Sequence, residues 1–556
     1  MQKVLTAEQM RAVDRLTTER YGIPSILLME NAAHAVARVI TKKMGGSVKG
    51  KSVLILCGKG NNGGDGAALA RILWKDGAFV WFMLFGRVAE TTGDARANLD
   101  ILRAIESDVA VSGGEFNKLL VHEDNEDLLP MLEGMLGSDE IDLVVDAMFG
   151  TGLTRELSGV FPEVIQRLEN HKPTVISVDL PSGLDADGGR LIGRSVTATT
   201  TVAFTAPKLA NVHAPASALN GELIIANIGT PQELIDEQPS QLYLADRTDA
   251  EAWLAKTAFS SGDYKNKRGH SLVIAGSDDY SGAAVMCGNS AMRSGVGLTT
   301  LLVPASCKVA VASRVIPEVI VKTLSETDGE FVGDAYAVNA ETIRQADSIL
   351  IGPGLKANDK GIEKLVRQIV QDRTVPVVID AGALWFFNSS DVEPRVENHP
   401  VAEAATPLLR KEGRRTALIL TPHEGEFLRL LGTEDISVIN DRVAAVRDFA
   451  TKHNVILVLK GERVLIGAPD GRVVVNPTGN SGLGKSGNGD TLAGILAGFT
   501  AQAAKMNIDI FETVVAAVYV AGMAGDVAEK RYGKRVMTAS DVRECLTEVF
   551  EILETK

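Results

Sequence analysis

The chain has 556 residues, too many for one ordinary hydrophobic core, so length alone predicts about two to four domains. Hydrophobic residues make up 45% and charged residues 23%, the balance of a soluble globular protein. A formal charge of -14 excludes a general nucleic-acid binder, whose partner demands basic surface, but admits small phosphorylated ligands, which need only a local nest of donors.

The opening residues, MQKVLTAEQMRAVD, carry no apolar signal core, and no stretch reaches ~18 consecutive apolar residues. No membrane span is expected, and a cytoplasmic location is. Two amphipathic helices come first. Thr6 and Gln9 fit a capping box for one, and the other starts near Ser25 and runs through ILLMENAAHAVARVI. Apolar runs then alternate with helix-length segments: VLILC (Val53 to Cys57), FVWFMLF (Phe79 to Phe85), IDLVVDA (Ile141 to Ala147) and TVISVDL (Thr174 to Leu180), with shorter runs near Thr201 and Leu223. Such runs read as buried parallel strands of an α/β sheet.

After Ile228 the pattern lapses. GTPQELIDEQPSQLYLADRTD is polar and has no sustained period, which places a boundary around 235–260. The alternation then restarts with SLVIA (Ser271 to Ala275), LTTLLV (Leu298 to Val303), SILI (Ser348 to Ile351), VPVVID (Val375 to Asp380), ALILT (Ala417 to Thr421) and VILVLK (Val455 to Lys460). A hairpin-like pair, RVLIG and GRVVVN, follows, and the rest is helical. Cys57, Cys287, Cys307 and Cys545 are far apart and form no C-x-x-C; they read as reduced, mostly buried thiols and not as transition-metal ligands.

Directly after the first strand comes GKGNNGGDG, Gly58 to Gly66. Glycines there either supply a tight turn with positive φ or expose backbone N–H groups to an anion at a helix start. Gly58, Gly60 and Gly63 also match G-x-G-x-x-G, and with Arg87 near the end of the second strand a Rossmann dehydrogenase is an alternative. Asp146 precedes AMFGTGL and Asp179 precedes LPSGLD, each at a strand end. Ligands of open parallel sheets sit beyond the carboxyl ends of strands, so both aspartates should converge with the glycine loop on one crevice. Either aspartate alone is more often a helix N-cap.

NNGGDG, VDAMFGTGL and VDLPSGLD, in that order, resemble the NAD(P)H-hydrate epimerases over roughly residues 1 to 235. The resemblance implies that Asn61, Asn62, Gly63, Gly64 and Asp65, with Gly150, Thr151, Gly152, Leu153, Thr154, Arg155 and Glu156, line the hydrated dinucleotide. It implies that Asn62, Asp146 and Ser182 hold a potassium ion and that Asp179 is catalytic, contacting substrate near the reacting carbon. Oxygen ligands suit a hard monovalent cation.

In the second half, TPHEGEF (Thr421 to Phe427) follows a strand; His423 and its glutamates could act as acid, base or orienting groups, or simply favour a helix start. TGNSGLGKSGNGDTLAGILAG begins at Thr478, and Gly479 to Ser486 is a literal Walker A match. Its context argues against a P-loop, since no further parallel strands follow. GNGD, Gly487 to Asp490, instead offers backbone N–H groups to a phosphate at the start of an apolar helix, with Asp490 placed as a base.

PHEGEF, LKGERV and GNSGLGKSGNGDTLAG, with YSGAAVMCGNSAMRSGVGL and ILIGPGL, resemble the ribokinase-like NAD(P)H-hydrate dehydratases over about residues 265 to 550. The resemblance implies that Ala284, Gly354, His423 and Asp490 contact the hydrate, with Asp490 catalytic. It implies that Lys460, Gly461, Glu462, Arg463 and Val464, together with Asn480, Gly487, Asn488 and Gly489, contact the nucleotide. The chain departs from the family at Val464, where a hydroxyl residue is usual, and at Ser486, where glycine is usual.

The expected architecture is therefore α/β throughout: a Rossmann-like three-layer α/β/α epimerase domain over 1–238, a linker over 239–262 and a ribokinase-like α/β dehydratase domain over 263–556. The resemblance implies repair of hydrated NADH and NADPH, with potassium in the first domain and magnesium with ADP or ATP in the second. The expected partners are small molecules and further copies of the chain, with neither nucleic acid nor membrane. A ribokinase-like small-molecule kinase fused to a nucleotide-binding module is the alternative from another class, and a non-catalytic nucleotide-binding scaffold a third.

Overall fold

The computed structural model describes residues 1–112, 119–123, 125–138, 140–324, 326–327, 330–331, 335–357, 359–387 and 416–555. By contacts the chain divides into two compact units, Gln2–Ser240 and Gln241–Lys556, with Met1 grouped with the latter.

The N-terminal unit begins with α1 (Ala7–Tyr21) and α2 (Ser25–Lys43). The capping box is present: Gln9 N donates to Thr6 Oγ1 at 3.1 Å and Thr6 N to Gln9 Oε1 at 2.9 Å. β1 (Ser52–Cys57), α3 (Asn61–Lys75), β2 (Phe79–Leu84), α4 (Gly93–Ser112), β3 (Leu119–Glu123), α5 (Asn125–Leu136), β4 (Leu143–Ala147), α6 (Phe161–His171), β5 (Val175–Val178), β6 (Thr200–Phe204) and β7 (Glu222–Ala226) follow. The strands are all parallel, in the order β3-β2-β1-β4-β5-β6-β7. Alternation along β1 makes the three layers: Val53, Ile55 and Cys57 pack with residues of α2 and α3, while Leu54 and Leu56 pack with Leu128 and Leu132 of α5 and Leu168 of α6. The order reverses between β1 and β4, so the crevice of an open sheet falls at their carboxyl ends.

In the C-terminal unit, β8 (Leu242–Leu244) and α7 (Arg247–Lys256) occupy the segment read from sequence as a linker. Trp253 of α7 stacks on Phe499 with centroids 3.9 Å apart and donates to Thr513 Oγ1 at 3.0 Å, so this segment is part of the packed unit. Next come β9 (His270–Ile274), α8 (Ser281–Arg293), β10 (Leu298–Pro304), β11 (Ile320–Leu324), β12 (Ser348–Ile351), β13 (Val377–Ile379), β14 (Leu418–Leu420), α9 (Glu424–Leu430), β15 (Ile456–Leu459), β16 (Leu465–Gly467), β17 (Val473–Val475), α10 (Asn488–Met506) and α11 (Ile510–Tyr532). The strand order is β8-β17-β16-β15-β14-β13-β12-β9-β10-β11. It is parallel from β15 to β11, and β15, β16 and β17 form an antiparallel meander.

α10 is buried along most of its length and packs on α8 through its glycines. A Cβ at Gly494 would lie 2.4 Å from the Cys287 carbonyl oxygen, and one at Gly498 1.9 Å from Ser294 Oγ. α11 is long and apolar enough to cross a bilayer by length and composition, yet 72% of its most apolar stretch is buried inside the unit. The four cysteines are free and buried.

Candidate active sites

In the N-terminal unit a cavity of about 700 Å³ opens at the carboxyl ends of β1, β4 and β5. Gly60, Asn61, Asn62 and Asp65 at the start of α3 line it, with Gly150–Leu153, Arg155, Glu156 and Asp179. Gly63, Gly64 and Thr154 do not line it. The two glycines serve close packing instead: a Cβ at Gly63 would lie 1.8 Å from the Gly58 carbonyl oxygen, and one at Gly64 2.8 Å from Ala95 Cα. None of the five glycines from Gly58 to Gly66 has positive φ, so the tight-turn reading of the motif fails. Gly60 is the N-cap of α3, and the first turn, whose N–H groups have no partner within the helix, lines the cavity through Asn61 and Asn62.

Asp146 and Asp179 are not N-caps. Asp146, the penultimate residue of β4, is fully buried below the cavity. Its carboxylate accepts from Ser182 Oγ at 2.6 Å, Ser182 N at 2.9 Å, Ser177 Oγ at 2.9 Å and Met148 N at 3.3 Å. Burial raises its pKa, and these hydrogen bonds oppose the rise. Asp179 follows β5 with φ of 65°, a left-handed conformation that turns its side chain into the cavity mouth. Lys208 Nζ donates to its Oδ1 at 2.5 Å, and that lysine is only 1% exposed. Asn62 sits beside it: a Cβ on Gly150 would lie 3.4 Å from Asn62 Oδ1 and 3.6 Å from Asp179 Oδ2. The Asn62 amide nitrogen is buried without a hydrogen-bond partner.

In the C-terminal unit the candidate residues again follow the carboxyl ends of parallel strands: Gly354 after β12, His423 after β14, Lys460 after β15. Lys460 Nζ lies 2.8 Å from Asp380 Oδ1 and 3.9 Å from Glu426 Oε2. Burial alone would lower the Lys460 pKa, but Asp380 and Glu426 outweigh it and hold the ammonium above its ordinary value. Asp490 is pushed up to about 6 by burial and then by the Asp380 carboxylate, with Lys460 opposing. Gly487, at φ of 90°, caps α10, so Asp490 is the third helical residue. Gly489 faces Lys460, whose Nζ would lie 3.7 Å from a Cβ there. Gly354 has φ of 70°, and a side chain on it would meet the Tyr280 carbonyl oxygen at 2.8 Å.

Other predicted contacts have local duties. His423 is the N-cap of α9: its Nδ1 accepts from Glu426 N at 3.3 Å, while its own N–H donates to Glu426 Oε2 at 2.8 Å. Asn480 Nδ2 donates to the Gly525 carbonyl at 2.9 Å and to Asp526 Oδ1 at 3.0 Å. Arg463 donates to the Pro477 carbonyl, and Val464 packs against the core where the family carries a hydroxyl. Lys485, the would-be Walker lysine, donates to the carbonyls of Lys534, Arg535 and Met537 at 2.9, 2.7 and 2.9 Å. A lysine that clamps three carbonyls is engaged by its own chain, and the preceding strand, β17, is antiparallel to its neighbour β16. Both facts remove the P-loop reading.

Residues 271–548 match the family described as NAD(P)H-hydrate dehydratase, and residues 25–210 that described as YjeF-related protein N-terminus. The bifunctional NAD(P)H-hydrate repair enzyme Nnr of Moorella thermoacetica is 36% identical over 552 residues, 99% of this chain and 97% of its own length. The chain belongs to the bifunctional NAD(P)H-hydrate repair enzymes. It is thus an epimerase and a dehydratase in one polypeptide, and the kinase and scaffold alternatives fall. The repair enzyme of Thermofilum pendens is 33% identical over 544 residues, 97% of this chain and 94% of its own length. A crystal structure of ADP/ATP-dependent NAD(P)H-hydrate dehydratase from Bacillus subtilis, co-crystallised with ATP/Mg2+, is 26% identical; it covers 56% of this chain and 99% of its own, with a TM-score of 0.44.

Sequence reasoning missed Asp14, Lys208 and Asp380. Asp380 and Lys208 carried a usable signal, since each is a charged residue inside or beside an apolar run, VPVVID and VAFTAPKLA. Asp14 had none: on α1 it reads as part of a solvated face.

Proposed function

We propose that Asp490 is the base of the dehydratase and Asp179 that of the epimerase. The single observation behind the first assignment is the half-buried group formed by Asp490, Lys460 and the buried Asp380 beside the capped start of α10. The hydrate carries a hydroxyl on the carbon next to the ring nitrogen. Asp490 takes the hydroxyl proton as the oxygen attacks the terminal phosphorus of ADP or ATP, breaking its bond to the bridging oxygen and releasing AMP or ADP. Lys460 and the N–H groups at Gly487–Gly489 balance the phosphate charge. Phosphate then leaves with the carbon–oxygen electron pair, a proton leaves the neighbouring carbon, and the ring double bond returns. Magnesium enters as part of the nucleotide co-substrate.

In the epimerase, Asn62, Asp146 and Ser182 would hold potassium. The donor set fits, being oxygen only: a buried carboxylate bonded by hydroxyls and a backbone N–H group, a serine hydroxyl beside the Phe149 carbonyl, and the Asn62 amide oxygen. The ion would supply a fixed positive charge beside the substrate and hold Asp146 ionised. A cytoplasmic location and a homo-oligomeric assembly belong to the same reading.

Asp490→Asn tests it. A base lost from the transition state should lower dehydration turnover by roughly 10²–10⁴ while nucleotide binding, read by calorimetry, persists. Wild-type turnover should rise with pH through about 6 as Asp490 ionises, and the residual turnover of the variant should lack that limb. Near-normal turnover of a folded variant would reject Asp490 as the base.

A further inference from the structure

The epimerase cavity holds more acid than the roles given above use. Asp14, in the middle of α1, lines the same cavity as Asp65, Asp179 and Lys208. Its Oδ1 is buried and has no hydrogen-bond partner. Buried acceptors are normally satisfied, so an open one on a ligand cavity is available to a ligand. Asp14, Asp65 and Asp179 lie around Lys208, and that ammonium is committed: Lys208 Nζ donates to Asp179 Oδ1 at 2.5 Å and to the Phe204 carbonyl at 3.1 Å. The charged groups facing Asp14 are Lys208, Asp179 and Asp65, with Arg11 one turn earlier on its own helix. Burial pushes Asp14 up to about 6, Lys208 opposes this, and Asp179 adds to it.

We propose that Asp14 is the proton donor of the epimerase centre, working opposite Asp179 as proton acceptor. The proposal rests on the reading of Asp179 as the group at the reacting carbon. That carbon bears a hydroxyl and the ring nitrogen, which makes it a hemiaminal. Inversion needs two proton movements. The hydroxyl proton passes to Asp179 as the oxygen forms a carbonyl and the carbon–nitrogen bond breaks. The electron pair of that bond goes to nitrogen, which takes the proton of Asp14. Rotation presents the other carbonyl face. Nitrogen re-forms its bond to carbon there and returns its proton to Asp14, while the oxygen recovers the other from Asp179. No oxidant or reductant is required. Lys208 pairs with Asp179 at 2.5 Å, while Asp14 has an unpaired Oδ1 and burial favours its protonated form.

The test uses the full-length chain, the resolved epimers of hydrated NADH, and no nucleotide, with the two forms separated and counted over time. Asp14→Asn, close to isosteric, should lower epimerisation turnover by roughly 10²–10⁴, and Asp14→Glu should recover part of it. Because the donor must be protonated, the wild-type rate should fall on the alkaline side of its profile, and the residual rate of Asp14→Asn should lack that limb. The wild-type profile needs no variant: a rate that is flat from about pH 6 to about pH 9 overturns the proposal even if Asp14→Asn fails to fold. Normal rate and profile in a folded Asp14→Asn, with Asp179→Asn inactive, overturns Asp14 alone. Normal rates in both variants overturn the reading of Asp179 and this proposal with it.

Discussion

Asp490 illustrates how a single residue carries both function and a stability cost. Its pKa is raised from 3.8 to about 6, so the folded state prefers the protonated form. The stability this group adds is complete below its unfolded value and is lost as pH rises through about 6. At pH 8 the ionised carboxyl is therefore a burden, which Asp490→Asn removes. The unfolding transition that shifts on adding ADP–Mg²⁺ should rise by a few degrees in the variant at about pH 8, with the difference gone near pH 4. A lower melting temperature at pH 8 would mean that Asp490 is held by attraction to Lys460 and not strained by burial. At this scale Asp146 and Asp179 were readable because each closes an apolar run, and Asp490 because it stands between a glycine loop and an apolar helix. Asp14 was not, because burial of a helix face by the fold leaves no mark in local sequence.

The start of α3 shows what an element adds. NNGGDG was legible as a ligand loop, but the reason for its glycines was not. They admit a backbone approach: a Cβ on Gly63 would penetrate the Gly58 carbonyl, one on Gly66 would lie 2.5 Å from Cys57 Sγ, while one on Gly60 meets nothing. Gly63→Ala should therefore cost about 1–3 kcal/mol and abolish epimerisation by displacing Asn62, whereas Gly60→Ala should cost only a few tenths. Urea unfolding with an epimerisation assay on both variants checks this; equal behaviour would put the constraint elsewhere. The buried central strands all announced themselves as apolar runs. β3 and β11 did not, because an edge strand needs little apolar surface: β11 buries only Leu324 among its five residues. Alternation that half-faces water is too faint to separate from loop.

Across the full chain, two α/β units were legible from the lapse after Ile228, but the start of the second was not. A polar stretch hid β8 and α7, whose anchors are one tryptophan and a three-residue strand. A truncated chain beginning at Gln241 should fold and dehydrate. One beginning at Gly262 loses Trp253, its stack on Phe499 and the strand β8 beside β17, and should melt lower or aggregate. Equal melting temperatures would show that this segment is dispensable. Whether one polypeptide holds two separate active sites is decided most directly with one variant and two substrates. Full-length Asp179→Asn is given each resolved epimer of hydrated NADH with ADP–Mg²⁺, and NADH is followed by absorbance. Separate sites predict wild-type rates on the epimer that the dehydratase accepts and no enzymatic rate on the other. Loss of both rates in a folded variant would contradict them, and retention of both would overturn the reading of Asp179.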